Sequence, residues 1–255
     1  MIRTVTATQY VMPLREGGSL PAIVEGDDNG TYVLKFRGAG QGVKALIAEL
    51  VSGEIARALG LPVPEIVFAE LDERMGKTEP DPEIQDLLQK SAGLNLALDY
   101  LPGSITFDPI VEIPIAEKAR LASSIVWFDA LVTNVDRTAK NTNLLVWHRN
   151  LWMIDHGATL IFHHNWDGYL ERSRNPFAQI GEHVLLRWAS EIDAADEKLA
   201  AMLTPDVIAG VVDLIPESWL DDDGQRARYR DYFTQRLAPP REWMEDAVRA
   251  RTRRV

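Results

Sequence analysis

Ten consecutive residues, Asn134-Val135-Asp136-Arg137-Thr138-Ala139-Lys140-Asn141-Thr142-Asn143, hold one carboxylate, two cations and three carboxamides. Fourteen positions beyond Asn141, Asp155 stands in Met153-Ile154-Asp155-His156-Gly157. An Asp and an Asn together supply hard oxygen ligands of the kind Mg²⁺ prefers. Asp136, close by, has the chemistry to take a proton from a hydroxyl nucleophile. An ordinary polar loop with Asx turns has a similar composition. Position separates the two readings. An apolar helix precedes the cluster, two short strand-like runs follow it, and Asp155 ends the second, so a hairpin can return it beside Asn141.

Lys35 interrupts the apolar strand Tyr32-Val33-Leu34-Lys35-Phe36. It is either an outward-facing lysine or the partner of a carboxylate on the next helix. Glu49 lies about one turn into that helix, and such an ion pair can present an ammonium to phosphates. Glu54, the competing partner, falls on a different face. Gly17-Gly18-Ser19 could bring backbone N–H groups to phosphate oxygens, or form a plain hairpin turn. It is not a Walker loop, and Gly38, Gly40 and Gly42 follow the lysine strand rather than opening a Rossmann unit. His163-His164, with His156 upstream, suggests a transition metal but lacks a His-Glu-x-x-His pattern. Arg226 to Arg254 holds nine arginines against four acids. That segment is either a solvated helix face with a frayed tail or a dock for an acidic partner.

The elements that must position these residues are readable from pattern. Thr4–Pro13, Leu20–Glu25 and Thr31–Phe36 have strand composition, and Asp27-Asp28-Asn29-Gly30 is a hairpin signal. Val43–Leu59 has helical spacing, stopped by Gly60, Pro62 and Pro64. Ile66–Leu71 returns to strand, Arg74–Asp86 reads as a surface loop, and Leu94–Leu101 as a strand closed by Pro102-Gly103. Ala116–Thr133 reads as a helix, Leu144–Trp147 and Leu151–Ile154 as short strands. Helices are expected near Val184–Ile192, Pro205–Leu214, Gln225–Leu237 and Arg241–Arg253. The order predicts an α+β chain with a β-rich lobe over 1–101 and a helical lobe over 102–255.

The 255 residues carry 27 Lys plus Arg against 38 Asp plus Glu, a formal net charge of −11. General nucleic-acid or anionic-membrane binding needs the opposite surface. The absence of cysteine removes disulfides, thiol nucleophiles and Cys-zinc sites. No apolar run approaches the roughly 20 residues of a membrane span. Met1–Tyr10 is polar and β-branched rather than signal-like, so a soluble, cytoplasmic protein is expected.

Together Lys35, Glu49, Leu98-Asp99-Tyr100-Leu101-Pro102-Gly103, Asp136-x₄-Asn141 and Asp155-His156-Gly157 resemble a protein-kinase-like, two-lobed fold. More specifically the set resembles the HipA-like kinases, in which a glutamate helix ends in Gly-Leu-x-Val-Pro, here Gly60-Leu61-Pro62-Val63-Pro64. The Asp-Arg-x-x-x-Asn loop, shared with phosphatidylinositol kinases, matches Asp136 to Asn141. The resemblance covers Gly17 to Asp155 and, more loosely, the helical remainder. It implies ATP as phosphoryl donor and Mg²⁺ as cofactor. Lys35 would contact the α/β-phosphates, with Glu49 holding it, and Gly17, Gly18 and Ser19 would be a reduced glycine loop. Asp99 and Leu101 would offer backbone groups to adenine. Asp136 would be the catalytic base, and Asn141 and Asp155 the metal ligands. The acceptor would be a hydroxyl, Ser/Thr of a protein or a small molecule; a pseudokinase scaffold is the alternative. The sequence departs from the protein-kinase pattern where His156 replaces the middle residue of Asp-Phe-Gly, and where no Ala-Pro-Glu follows Asp155.

Overall fold

The computed structural model describes residues 1–14, 20–40, 42–110 and 118–254. The stretches rich in β-branched and aromatic residues form β1 (Thr4–Pro13), β2 (Ala22–Gly26) and β3 (Thr31–Lys35). β2 and β3 are joined as the Asp-Asn-Gly signal predicts. Asn29 takes φ 64°, and the Asp28 carboxylate accepts the Gly30 N–H at 3.0 Å. The helix α1 (Val43–Ala58) follows. Gly60, at φ 72°, lets the Leu61 N–H reach the Ala56 carbonyl at 2.9 Å, which closes the helix end.

The next elements are β4 (Ile66–Leu71), α2 (Pro82–Lys90) and β5 (Gly93–Asp99). The five strands close into a barrel in the order β1-β2-β3-β5-β4. β1 and β4 run parallel and the other neighbours antiparallel. Small and branched side chains fill its interior, among them Val5, Ala22, Leu34, Val67, Ala69 and Ala97. The loop expected over Arg74–Asp86 is corrected here: it holds a 3₁₀ turn, Met75–Thr78, and the start of α2. Pro82 sits in the first turn of α2, where its missing N–H costs nothing, and the Asp81 side chain accepts the Glu83 N–H at 3.0 Å. Ile84 and Leu88 of this otherwise polar helix join the barrel core. β5 also stops two residues short of the expected end, so Leu101 lies beyond the strand.

A second, three-stranded sheet has the order β6-β7-β8, built from β6 (Ile105–Thr106), β7 (Leu144–Trp147) and β8 (Asn150–Met153). Between β6 and β7 runs α3 (Lys118–Leu131). The remainder carries α4 (Tyr169–Arg172), α5 (Ile192–Met202), α6 (Pro205–Val212), α7 (Gln225–Leu237) and α8 (Glu242–Arg254). The result is a mixed α+β architecture, β-rich in its N-terminal part and helical in its C-terminal part. Among the described residues no helix is long and apolar enough to cross a membrane.

The second half of α3 runs through the larger core, with Ile125, Val126, Trp127, Phe128, Ala130 and Leu131 inaccessible to solvent. The same core takes in Leu46, Leu50 and Ile55 of α1 and Leu96 and Leu98 of β5. Strand β5, the hydrogen-bonded neighbour of the strand that holds Lys35, and the helix that holds Glu49 are therefore packed against the helical part.

Two further expectations change. The helix expected over Val184–Ile192 is a 3₁₀ turn, Leu186–Trp188, preceded by another at Ala178–Glu182, and α-helix begins only at Ile192. Inside that range Trp188 N–H and Ala189 N–H bond three residues back, to the Leu185 and Leu186 carbonyls at 3.0 and 3.2 Å, and Glu191 N–H, which an α-helix would use, bonds to Ser123 Oγ at 2.8 Å. The arginine-rich segment, in turn, meets carboxylates from outside itself. Arg226 pairs with Glu217, Arg228 with Asp222, Arg230 with Asp213 and Arg241 with Asp196. Arg236 is buried and donates to the carbonyls of Ala130, Leu131 and Ser173. These arginines staple α7 and α8 to the helical part, and the frayed tail is helix to Arg254.

Candidate active site

β3 ends at Lys35, β8 ends two residues before Asp155, and α1 lays Glu49 between them. The Lys35 Nζ lies 2.7 Å from Asp155 Oδ1 and 3.7 Å from Glu49 Oε2. Burial alone would lower the lysine pKa, but the Glu49 and Asp155 charges outweigh it, so the ammonium is held above its ordinary value. Burial would likewise raise Glu49. The Lys35 charge and the hydrogen bonds from His156 prevail and hold Glu49 ionised, below the usual carboxylate range. Glu54, the rival partner, pairs with Arg57 on its own helix at 3.1 Å.

The polar loop between α3 and β7 wraps around Asp136. Its Oδ2 accepts Asn141 Nδ2 at 2.8 Å and Asn143 Nδ2 at 3.2 Å, while its backbone N–H donates to Asn134 Oδ1 at 3.0 Å. With Nδ2 so engaged, the Asn141 Oδ1 accepts no hydrogen bond among the described residues and has the chemistry of a ligand. Asn141, Asn143, Lys35 and Asp155 line one cavity of about 320 Å³. Val33, Leu98, Leu145 and Ile154 give it apolar lining, and Asp99 and Leu101 stand at its wall. A larger open groove of about 950 Å³ runs along β1 past Asp72–Pro80 and contains none of these groups.

At that wall the Asp99 N–H already bonds to the Glu65 carbonyl at 2.8 Å, and Tyr100 N–H to Thr31 at 3.0 Å. The Leu101 N–H carries no hydrogen bond among the described residues, whereas its carbonyl accepts Ser104 N–H at 3.1 Å. Partial burial and the nearby Glu65 raise the Asp99 carboxyl pKa. Gly17, Gly18 and Ser19 lie outside the described residues.

The loop is held from below by groups that composition and spacing did not single out. Asp129 interrupts the apolar face of α3 and is fully buried. It receives Arg137 Nε at 2.7 Å, Asn134 Nδ2 at 2.8 Å and His183 Nε2 at 2.8 Å. Desolvation works against its charge, but Arg137 and His183 keep it well below the usual carboxylate range. Arg137 also donates to the carbonyls of Asn143 and Ile154. It thereby ties the loop of Asp136 to the strand end of Asp155. A carboxylate inside an otherwise apolar helix, followed eight residues later by Arg in a polar loop, was the available signal; His183, 54 residues away, had none. Asn143 was visible only as a third carboxamide. Its donated bond to Asp136 appears with the fold.

His156 is buried against Glu49 rather than directed at His163 or His164. His163 bonds through Nδ1 to the Tyr229 hydroxyl at 2.9 Å, and burial pushes its pKa down to about 3.

Comparison with known proteins bears on the family and the fold. Residues 8–240 match the family model for HipA-like kinases. Among solved structures, the chain resembles the Helicobacter pylori proinflammatory kinase CtkA with a TM-score of 0.61 at 12% identity, covering 100% of this chain and 99% of that one. It also resembles a Golgi casein kinase solved with Mn and ADP bound, with a TM-score of 0.55 at 11% identity, over 97% of this chain and 74% of that one. At such identities the likeness speaks for the fold. No curated protein sequence matches. With the family match spanning most of its length, the chain belongs to the HipA-like kinase family and is a phosphotransferase.

Proposed function

We propose that this kinase transfers the γ-phosphoryl group of ATP, with Mg²⁺, to a hydroxyl acceptor, and that the acceptor is Ser or Thr of a protein. Residues 1–101 would form the nucleotide lobe and 102–255 the helical lobe. The observation that carries the reading is the gathering of Lys35, Asp155 and Asn141 in the lining of one cavity that also has apolar walls, with Asp136 bonded to Asn141. Such a cavity suits a ligand that joins a flat base to a charged tail. The Golgi casein kinase solved with Mn and ADP supports a nucleotide and a divalent cation here.

The donor set fits Mg²⁺. Asn141 and Asp155 offer hard oxygens, and Mg²⁺ needs only one or two protein ligands beside phosphates and water. Bound there, it would neutralise phosphate charge and polarise the transferring group. Lys35 would bind phosphate oxygens, which compete with Asp155 for its ammonium, while Glu49 keeps it in place. The free Leu101 N–H would donate to the base. Asp136 has one carboxylate oxygen saturated by two amides, which leaves Oδ1 to accept the proton of the attacking hydroxyl. Because the carboxylate is anchored on one side, that oxygen has a fixed direction.

Lys35→Met tests the phosphate assignment. The thermal stabilisation given by Mg-ATP should fall strongly in this variant. Stabilisation at wild-type strength would remove Lys35 from the binding site.

A further inference from the structure

The seam between α1 and the Asp155-His156-Gly157 segment is polar and closed to solvent. Glu49, Ser52, His156 and Thr159 are all buried. Both oxygens of Glu49 meet His156. Oε2 accepts its backbone N–H at 2.9 Å, and Oε1 lies 3.3 Å from ring Nδ1. The other ring nitrogen, Nε2, is buried with no hydrogen-bond partner among the described residues. The proton therefore sits on Nδ1, the nitrogen that has an acceptor. Thr159 Oγ1 donates to the His156 carbonyl at 2.7 Å, so across the 2.7 Å contact between Ser52 and Thr159 it is Ser52 that donates.

We propose that His156 is a positioning residue of the kinase reaction. Its ring N–H and backbone N–H clamp the two oxygens of Glu49 and so fix the Lys35 ammonium between α1 and Asp155. This rests on the reading of Lys35 and Asp155 as phosphate- and metal-binding groups. An aromatic residue at this place can fill space. A histidine adds a donor, and here the donor is aimed at the carboxylate that holds Lys35. A buried carboxylate oxygen left without a donor is costly, so Glu49 would turn toward Lys35 alone or swing away with α1. The clamp makes the placement of Glu49 a property of the Asp-His-Gly segment itself.

The rival account is that the ring only packs. It stands edge-on to Phe128 with centroids 5.9 Å apart. Two variants separate the accounts because they remove opposite halves of the side chain. His156→Phe keeps the ring and loses the donor; His156→Asn keeps a side-chain N–H donor at similar reach and loses the ring. Steady-state kinetics with varied ATP and thermal unfolding should be measured on both, beside wild type and Lys35→Met. The clamp predicts that H156F loses roughly 10–100-fold in kcat/KM for ATP, the usual effect of losing a partner that orients a ligand. H156N should keep the larger share of turnover although it is the less stable protein. Activity that follows the stability order, with H156F near wild type, overturns the clamp. If Lys35→Met also retains wild-type kcat/KM, the underlying site reading fails; if only Lys35→Met is impaired, the clamp alone fails.

Discussion

Asp155 lines the cavity, Asp136 is joined to it through Asn141 and Asn143, and the partners of the two carboxylates differ. Asp155 faces a cation, Lys35, at 2.7 Å. Asp136 faces two neutral amides. The proposed roles follow from that difference: a metal ligand needs its charge for binding, and a base needs it for the proton. Asp155→Asn removes a charged ligand, so both Mg-ATP stabilisation and turnover should fall. Asp136→Asn is nearly isosteric and should leave the Mg-ATP thermal shift close to that of wild type. Differential scanning fluorimetry with and without Mg-ATP checks the contrast; identical shifts in the two variants would undo the division of labour. The Asp136, Asn141 and Asp155 set was legible because residue type and spacing survive in a single sequence. The Asn143 bond was not, because a carboxamide two residues further on points either way until the loop closes. Nor was the His156 bond to Glu49, which joins positions 107 apart.

The loop between α3 and β7 depends on a buried ion pair. Arg137 joins Asp129 of α3 to the carbonyls of Asn143 and Ile154, on the two segments that carry the site. Removing one partner leaves a charge buried and uncompensated. Arg137→Met should therefore destabilise the protein by about 3–5 kcal/mol. Urea denaturation measures this, and a loss under about 1 kcal/mol, the scale of an exposed pair, would contradict it. Strand β3 could be read from its alternation, β2 and β5 from short apolar runs bounded by turn residues, and α1 from apolar residues at helical spacing stopped by Gly60. α2 was hidden by charge: only Ile84 and Leu88 of its nine residues are buried, and its start rests on an Asp-Pro cap inside a stretch that looks like loop. The stretch from Val184 to Ile192 reads as helix because its apolar spacing is helical, but it holds a short 3₁₀ turn before helix begins at Ile192. Bonds from Val184 N–H to Arg137 and from Glu191 N–H to Ser123 fix it, and those are remote positions that no local window contains.

The helical part holds a buried histidine in neutral form, and this gives the molecule an acid sensitivity. His163 titrates near 6.5 in an unfolded chain but only at about 3 in the fold. As pH falls below 6.5 the unfolded state takes up the proton and the folded state does not. Stability from this group is thus complete above pH 6.5 and is lost progressively toward pH 3. The loss from pH 7 to pH 5 should be about 2 kcal/mol. Urea melts across this range on wild type and His163→Asn read it: the variant, which cannot titrate, should show a flatter dependence, and parallel curves would rule His163 out. The helical packing that buries His163 also carries the loops of Asp136 and Asp155, so core and site are parts of one design. The central claim is that the cavity between barrel and helices transfers phosphate and that Asp136 is its base. It is tested most directly by following label from γ-³²P-ATP, with Mg²⁺, into protein acceptors, small hydroxylated metabolites, the enzyme itself and water, for wild type and Asp136→Asn. The account predicts transfer by wild type to a protein Ser or Thr, and a rate about 10²–10⁴-fold lower for Asp136→Asn. Equal rates in the two proteins, or ATP binding by wild type with no label moved to any acceptor, would contradict it.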